Sequence, residues 1–177
     1  LSGHSVLGFI KRRAKEFNDY TLTKTLYCSL VRSILEYASI VWAPYRQVDI
    51  YRIESVQKQF LLFALKHLNF SGFILPPYKS RLLLLNMVSL EDRRELFSAM
   101  FAFDLIQENI SCRNLLDLVE INNNPYNLRR TRFLVQQTFS TDYAQYEPLN
   151  NCFHNFNKYS ELFAVGISRD TFKNRIL

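Results

Sequence analysis

The run from Val48 to Leu68 constrains this chain most. Ile50, Ile53, Val56, Phe60 and Phe63 fall on one stripe at helical spacing, and Leu61, Leu65 and Leu68 widen it. Arg52, Lys58 and Lys66 fall mostly off the stripe, and Glu54 stands four residues before Lys58, the favourable order for a helical ion pair. A helix with one apolar side must bury that side on another element. Two further helices are predicted ahead of it. The first spans Ser5 to Phe17, with Val6, Phe9, Ile10 and Phe17 as its apolar face and Lys11, Arg12, Arg13 and Lys15 as a basic cluster on the rest. The second starts at Thr21 or Thr23, either of which can cap it. It carries Leu26, Tyr27, Leu30, Val31, Ile34, Leu35 and Ala38 at helical spacing. It must end before Pro44, because the residue ahead of a proline avoids helical dihedrals. Trp42 and Tyr45 are expected to pack at that corner.

Composition points the same way. The 177 residues include only 4 Gly and 5 Pro, too few for a hairpin-rich β fold, and 48% are hydrophobic and 15% aromatic, enough to bury a core. The expected fold class is therefore all-α. Residues 1–70 form an antiparallel helical bundle, and residues 71–177 form a looser, mostly helical region, less ordered after about residue 122. The boundary is placed in SGFILPPYK, residues 71–79, where Gly72 and Pro76-Pro77 punctuate the pattern. A short helix is expected from Arg81 to Leu85. Ser89, Leu90, Glu91 and Asp92 resemble a capping box with Asp in place of Glu. They open a helix to about Glu108 with Leu90, Leu96, Phe97, Met100, Phe101, Phe103 and Leu105 as its apolar residues. Arg93 and Arg94 sit in its first turn, where the helix dipole disfavours cations. Acids nearby are taken to compensate, the rival being that another part of the molecule uses them. Residues 114–121 and 149–163 suggest further helices, Ser168 suggests a cap for a last one, and residues 127–147 read as extended or irregular.

The formal charge of +6 favours a polyanionic partner over an acidic substrate. Cys28, Cys112 and Cys152 are odd in number and far apart, which argues against a disulfide framework and for a reducing, intracellular setting. No run of 18 apolar residues exists, so no membrane span is expected. The chain begins at Leu1 and enters a helical pattern almost at once, as a piece of a larger protein would.

Residues for chemistry are sparse. His4, His67 and His154 are far apart, and Cys152 with His154 supplies two ligands where structural zinc takes four. No G-x-S-x-G or G-x-x-x-x-G-K motif occurs. Two-metal phosphoryl transfer needs clustered carboxylates, and the only adjacent acids, Glu91 and Asp92, are assigned to a helix start. No catalytic residues, no metal site and no enzymatic activity of this chain are expected.

Several blocks, taken in order, resemble a known family. They are LGFIKR (7–12), LYCSLVRSILEYASIVWAPY (26–45), IESVQKQFLLFALKHL (53–68), LPPYKSRLLLLNMVSLEDRRE (75–95) and LNNCFHNFN (149–157). Their order and spacing resemble the region just C-terminal to the catalytic palm in reverse transcriptases of non-LTR retrotransposons, in particular the Jockey-like elements of insects. The resemblance covers essentially the whole chain, more loosely over its last thirty or so residues. It implies the polymerase thumb, which packs beside the palm and holds the RNA/DNA template–primer, together with the post-thumb segment. The family's aromatic-Ala-Asp-Asp motif lies upstream in the palm and is absent here, so the Mg the parent polymerase uses would belong to that missing palm. On this reading Lys11, Arg12, Arg13 and Lys15 contact phosphates, with Lys58 and Lys66 next, independently of base sequence. The implied partners are nucleic acid and the palm domain of the parent chain, with no membrane and no small-molecule substrate. A nuclear location is implied if the parent element is active. The alternative is a structural or protein-interaction module that exposes the surface the palm would cover.

Arg32 and Glu36, one helical turn apart, complete the expectations. Arg before Glu is the weaker order, but in a bundle neither charge stays unpaired cheaply. They are taken as a structural pair that fixes helix register, the rival being that Arg32 reaches a neighbouring domain or a phosphate.

Overall fold

The apolar stripe of residues 48–68 becomes one unbroken helix, α5 (Gln47–His67). In the computed structural model, which describes residues 3–16, 19–68, 75–122, 133–135, 139–163 and 166–176 without the side chains of Lys15 and His67, this helix buries Val56, Phe60, Leu61, Ala64 and Leu65. The other helices, in chain order, are α1 (Gly3–Arg13), α2 (Tyr20–Leu26), α3 (Ser33–Glu36), α4 (Ser39–Trp42), α6 (Tyr78–Leu84), α7 (Leu90–Ile106), α8 (Arg113–Leu116), α9 (Asp142–Gln145), α10 (Pro148–Lys158) and α11 (Arg169–Ile176). Among the described residues there is no strand, only one antiparallel bridge between Ile121 and Leu134. The fold is all-α. No described helix is long and apolar enough to cross a membrane.

The chain divides into two compact units, Leu1–Ser39 with Pro44–Arg93, and Ile40–Ala43 with Arg94–Leu177. The first unit thus runs past the boundary expected at residue 70. The reason is local to α6 and the start of α7. Leu82, Leu85 and Met87 are buried in the same core as Leu7, Ile10, Tyr27, Val31 and Phe60. Lys24 Nζ donates to the carbonyls of Leu85 and Asn86, both at 2.9 Å, and the Tyr20 hydroxyl donates to Leu85 O at 3.0 Å. These bonds satisfy carbonyls that the end of α6 leaves without intrahelical donors.

Two expectations for this unit are corrected. The buried face of α1 is Gly3, Leu7, Ile10 and, just beyond it, Ala14, a repeat at i, i+4, i+7 and i+11. Phe9 is exposed, Val6 only flanks the core, and Phe17 lies outside the described residues. Gly3 permits the close approach, since a Cβ there would meet Leu35 Cδ2 at 2.9 Å. The second correction concerns the helix expected up to Pro44. Its cap is Asp19, not Thr21 or Thr23, and Asp19 Oδ1 accepts from Thr21 N at 2.7 Å. The helix then widens to a π turn over Tyr27–Arg32, resumes as α3 and breaks at Ala38, whose φ is 50°. The π turn aims Tyr27 and Val31 inward and leaves Leu30, Ile34 and Tyr37 exposed. Trp42 is exposed as well, and Tyr45 lies under the Arg46 guanidinium at 5.7 Å.

The second unit is built on α7, α10 and α11. The cap predicted at Ser89 is present, Asp92 N donating to Ser89 Oγ at 3.0 Å and Ser89 Oγ to Asp92 Oδ2 at 2.5 Å. Ser168 likewise accepts from Thr171 N at 3.2 Å, ahead of α11. Phe103 and Phe172 stack at 4.8 Å, and Phe156 meets Phe163 edge-on at 5.4 Å. The Asn157 amide donates to Leu134 O and accepts from Leu134 N, both at 3.0 Å, so it pairs that backbone as a neighbouring strand would. Within the stretch expected to be irregular, Asp142–Gln145 is helical, capped by Thr141. Residues 127–132 and 136–138 of that stretch, and residues 71–74 of the expected boundary, lie outside the described residues.

Candidate nucleic-acid interface

Helices α1 and α5 pack on each other through Leu7, Ile10, Leu61 and Leu65. That contact brings Lys11 and Lys66 near one another from opposite parts of the sequence. Lys11 is half-buried, and its pKa is lowered by desolvation and then by the charge on Lys66. Among the described residues neither lysine has a carboxylate within 4.0 Å. Two cations held together without an anion repel, and an anionic ligand would relieve that repulsion. Arg12 and Arg13, at the same end of α1, are exposed, and Arg13 NH1 pairs with Glu16 at 3.4 Å in an exposed contact worth well under 1 kcal/mol. The Lys15 side chain lies outside the described residues.

Lys58 points elsewhere. Its Nζ lies 4.2 Å from the Tyr51 ring centroid and 5.2 Å from that of Tyr78, within cation–π range of both. It does not join Glu54. That carboxylate is buried and turned inward, where its Oε1 accepts from the Tyr78 hydroxyl and from Leu90 N at 3.1 Å. Gln57, fully buried beside it, accepts from the Tyr27 hydroxyl at 3.1 Å and donates to Val88 O at 2.9 Å. Burial first, then the neighbouring anion, pushes the Tyr78 phenol above its ordinary range, and burial does the same to Tyr27. The chain matches no family model, no curated protein and no solved structure.

The Arg32–Glu36 pair is present, Arg32 Nε lying 3.9 Å from Glu36 Oε2. The nearer partner is Arg93, whose Nε donates to Glu36 Oε1 and whose NH2 donates to Oε2 at 2.9 Å. This fork-on-fork geometry is the strong form of an arginine–carboxylate contact. It also corrects the reading of Arg93, which is held by an acid 57 positions away.

Sequence reasoning missed Glu54, Gln57 and Tyr78 as a connected set. A signal existed, since Ile50, Glu54, Gln57 and Leu61 share one helical face and the polar pair interrupts an otherwise apolar line. For Arg93 the signal was its place in the first turn of a helix, where a cation is disfavoured, but nothing local named Glu36 as the partner, which is 57 positions away. Cys152 is buried and its thiol is pushed up to about 12, by burial first, while His154 is only partly buried. Among the described residues no group of three or more His, Cys, Asp or Glu is placed to hold a metal ion.

Proposed function

We propose that this chain is a thumb-like, non-catalytic part of a reverse transcriptase of a non-LTR retrotransposon, and that it holds RNA/DNA template–primer through backbone phosphates. The observation that carries the reading is the placement of Lys11, Arg12 and Lys66 at one end of the α1–α5 pair without carboxylate partners among the described residues. The order of the sequence blocks supplies the family, and the formal charge of +6 agrees with a polyanionic partner. Phosphate contacts of this kind release counterions, so affinity falls steeply as salt rises. The test is binding to a labelled RNA–DNA duplex across a salt series, with Lys11, Arg12 and Lys66 changed to Ala in parallel. The expected result is a negative salt slope that becomes shallower by about two to three charges in the triple variant. Binding that ignores salt, or no binding at low salt, refutes the reading.

A second reading rests on a separate observation. Leu30, Ile34 and Tyr37 are exposed along the outer side of the π turn and α3, an apolar stripe that another protein surface would cover. On this reading the chain is a structural or interaction module. A monodisperse monomer by light scattering up to high concentration counts against it.

A further inference from the structure

The second unit carries a feature that runs against the positive charge of the chain. Ile121 and Leu134 face each other in the antiparallel bridge, where Asn122 N donates to Phe133 O and Val135 N to Glu120 O, both at 2.9 Å. In that pattern the facing residues turn their own N–H and C=O away from one another. Leu134 finds both partners in the Asn157 amide. Ile121 finds none among the described residues, and it is 49% exposed. One side of this short ladder is closed by a side chain. The other is an open edge that offers a donor and an acceptor to an added strand.

Beside this edge lies a cleft of about 220 Å³. Val135, Phe139, Leu149 and Phe153 supply apolar wall, and Glu120, Glu147 and Asn150 supply polar side chains. Neither glutamate has an ion-pair partner among the described residues. The Asn150 amide nitrogen donates to Ala144 O at 3.0 Å, which leaves its side-chain oxygen as an acceptor. Two carboxylates and an amide oxygen repel phosphate and call for a cation rich in donors. A guanidinium on its methylene stem supplies the donors and an apolar part for the wall. Glu120 joins the cleft to the edge, because it follows Ile121 in the ladder and stands across from Val135. An added strand would lie about 4.8 Å beyond Ile121. Its residue across from Ile121 would take the two backbone bonds. The next one, across from Glu120, would turn its side chain to the face of Glu120 and Val135, which both line the cleft. A free organic cation would use the carboxylates and leave the edge open, whereas an extended peptide uses both. We infer that this edge and cleft take an extended peptide segment, paired with Ile121 and placing an arginine side chain on Glu120 and Glu147. None of these residues belongs to the basic end of α1 and α5, so the inference stands apart from the nucleic-acid reading.

The probe is a labelled, end-capped peptide of about six residues, the usual strand length, that alternates valine and threonine around one arginine. Fluorescence anisotropy compares it with two relatives. One carries citrulline in place of arginine. The other is N-methylated at the residue before the arginine, whose amide faces Ile121 in antiparallel addition. The expected result is saturable binding that citrulline weakens by about three- to tenfold, the size of two partly exposed ion pairs, and that the methyl group abolishes. The double variant Glu120→Gln, Glu147→Gln should bind the arginine and citrulline peptides equally, and as weakly as the unchanged chain binds citrulline. Both glutamates are exposed, so the substitutions leave the core intact, and circular dichroism checks this. No saturable binding, or equal binding of the arginine and citrulline peptides by the unchanged chain, overturns the inference. A methylated peptide that binds as well as its parent overturns it too, since the edge would then play no part. None of these results bears on binding of the RNA–DNA duplex.

Discussion

Replacing Glu36 by Ala removes the acid that two arginines share. The side chain is 11% exposed, against 23% for Arg93 and 24% for Arg32. A hydrogen bond to a charged group contributes about 1.5–3 kcal/mol net, and breaking a buried ion pair from one side costs about 3–5 kcal/mol. Both guanidinium groups keep some access to water, so the lower end applies, and the expected loss is about 2–3 kcal/mol. In a chain of this length that lowers Tm by about 5–10 °C. Arg32→Ala should cost less than about 1 kcal/mol, because Arg32 Nε lies 3.9 Å from the carboxylate, too far for a hydrogen bond. The assay is urea unfolding of Glu36→Ala, Arg93→Ala, Arg32→Ala and the two double variants that pair Glu36→Ala with each arginine change, read as two thermodynamic cycles. The expected coupling between Glu36 and Arg93 is about 1.5–2 kcal/mol. A coupling below about 0.5 kcal/mol, or a larger one between Glu36 and Arg32, refutes the reasoning and returns the pair to its sequence-based assignment.

Three further outcomes concern the backbone, the raised pKa values and the accessibility of the thiols. Ala38 holds φ at 50°, where a Cβ is strained, so Ala38→Gly should stabilise the chain by about 0.5–1 kcal/mol in the same urea assay, and a loss of stability would refute the strain. Cys152, Tyr27 and Tyr78 all have folded pKa values above their ordinary values of 9.0, 10.0 and 10.0, chiefly through burial. Their neutral forms are the ones the fold favours, so the stabilisation is complete below about pH 9 and is lost as pH rises toward 12. The urea midpoint should therefore fall steadily from pH 9 to pH 11, and a flat or rising midpoint contradicts the burial of these groups. Thiol labelling at neutral pH should reach Cys28 and Cys112, which are partly exposed, well before Cys152.

Local physics made several elements legible from residues alone. The α5 stripe, the Ser89–Asp92 cap of α7, Pro148 at the start of α10 and the Ser168 cap of α11 each depend on residues within one or two helical turns. So does the all-α class, which rests on few helix breakers and long apolar periodicity. Only the tertiary structure decided which face of α1 is core, because Val6, Leu7 and Phe9 are equally apolar and the choice of Leu7 and Ile10 rests on the residues that pack against them from later in the chain. It also decided that Lys58 braces Tyr51 rather than pairing with Glu54, since Tyr78 and Leu90 N claim that carboxylate from 24 and 36 residues away. The candidate interface divides the same way. Its basic residues are visible by type, but the repulsion Lys11 feels from Lys66 and the capture of Glu36 by Arg93 arise between distant segments. Helical periodicity is a property of neighbours three and four apart, whereas a charge finds its partner wherever folding brings one, and no local pattern records that choice.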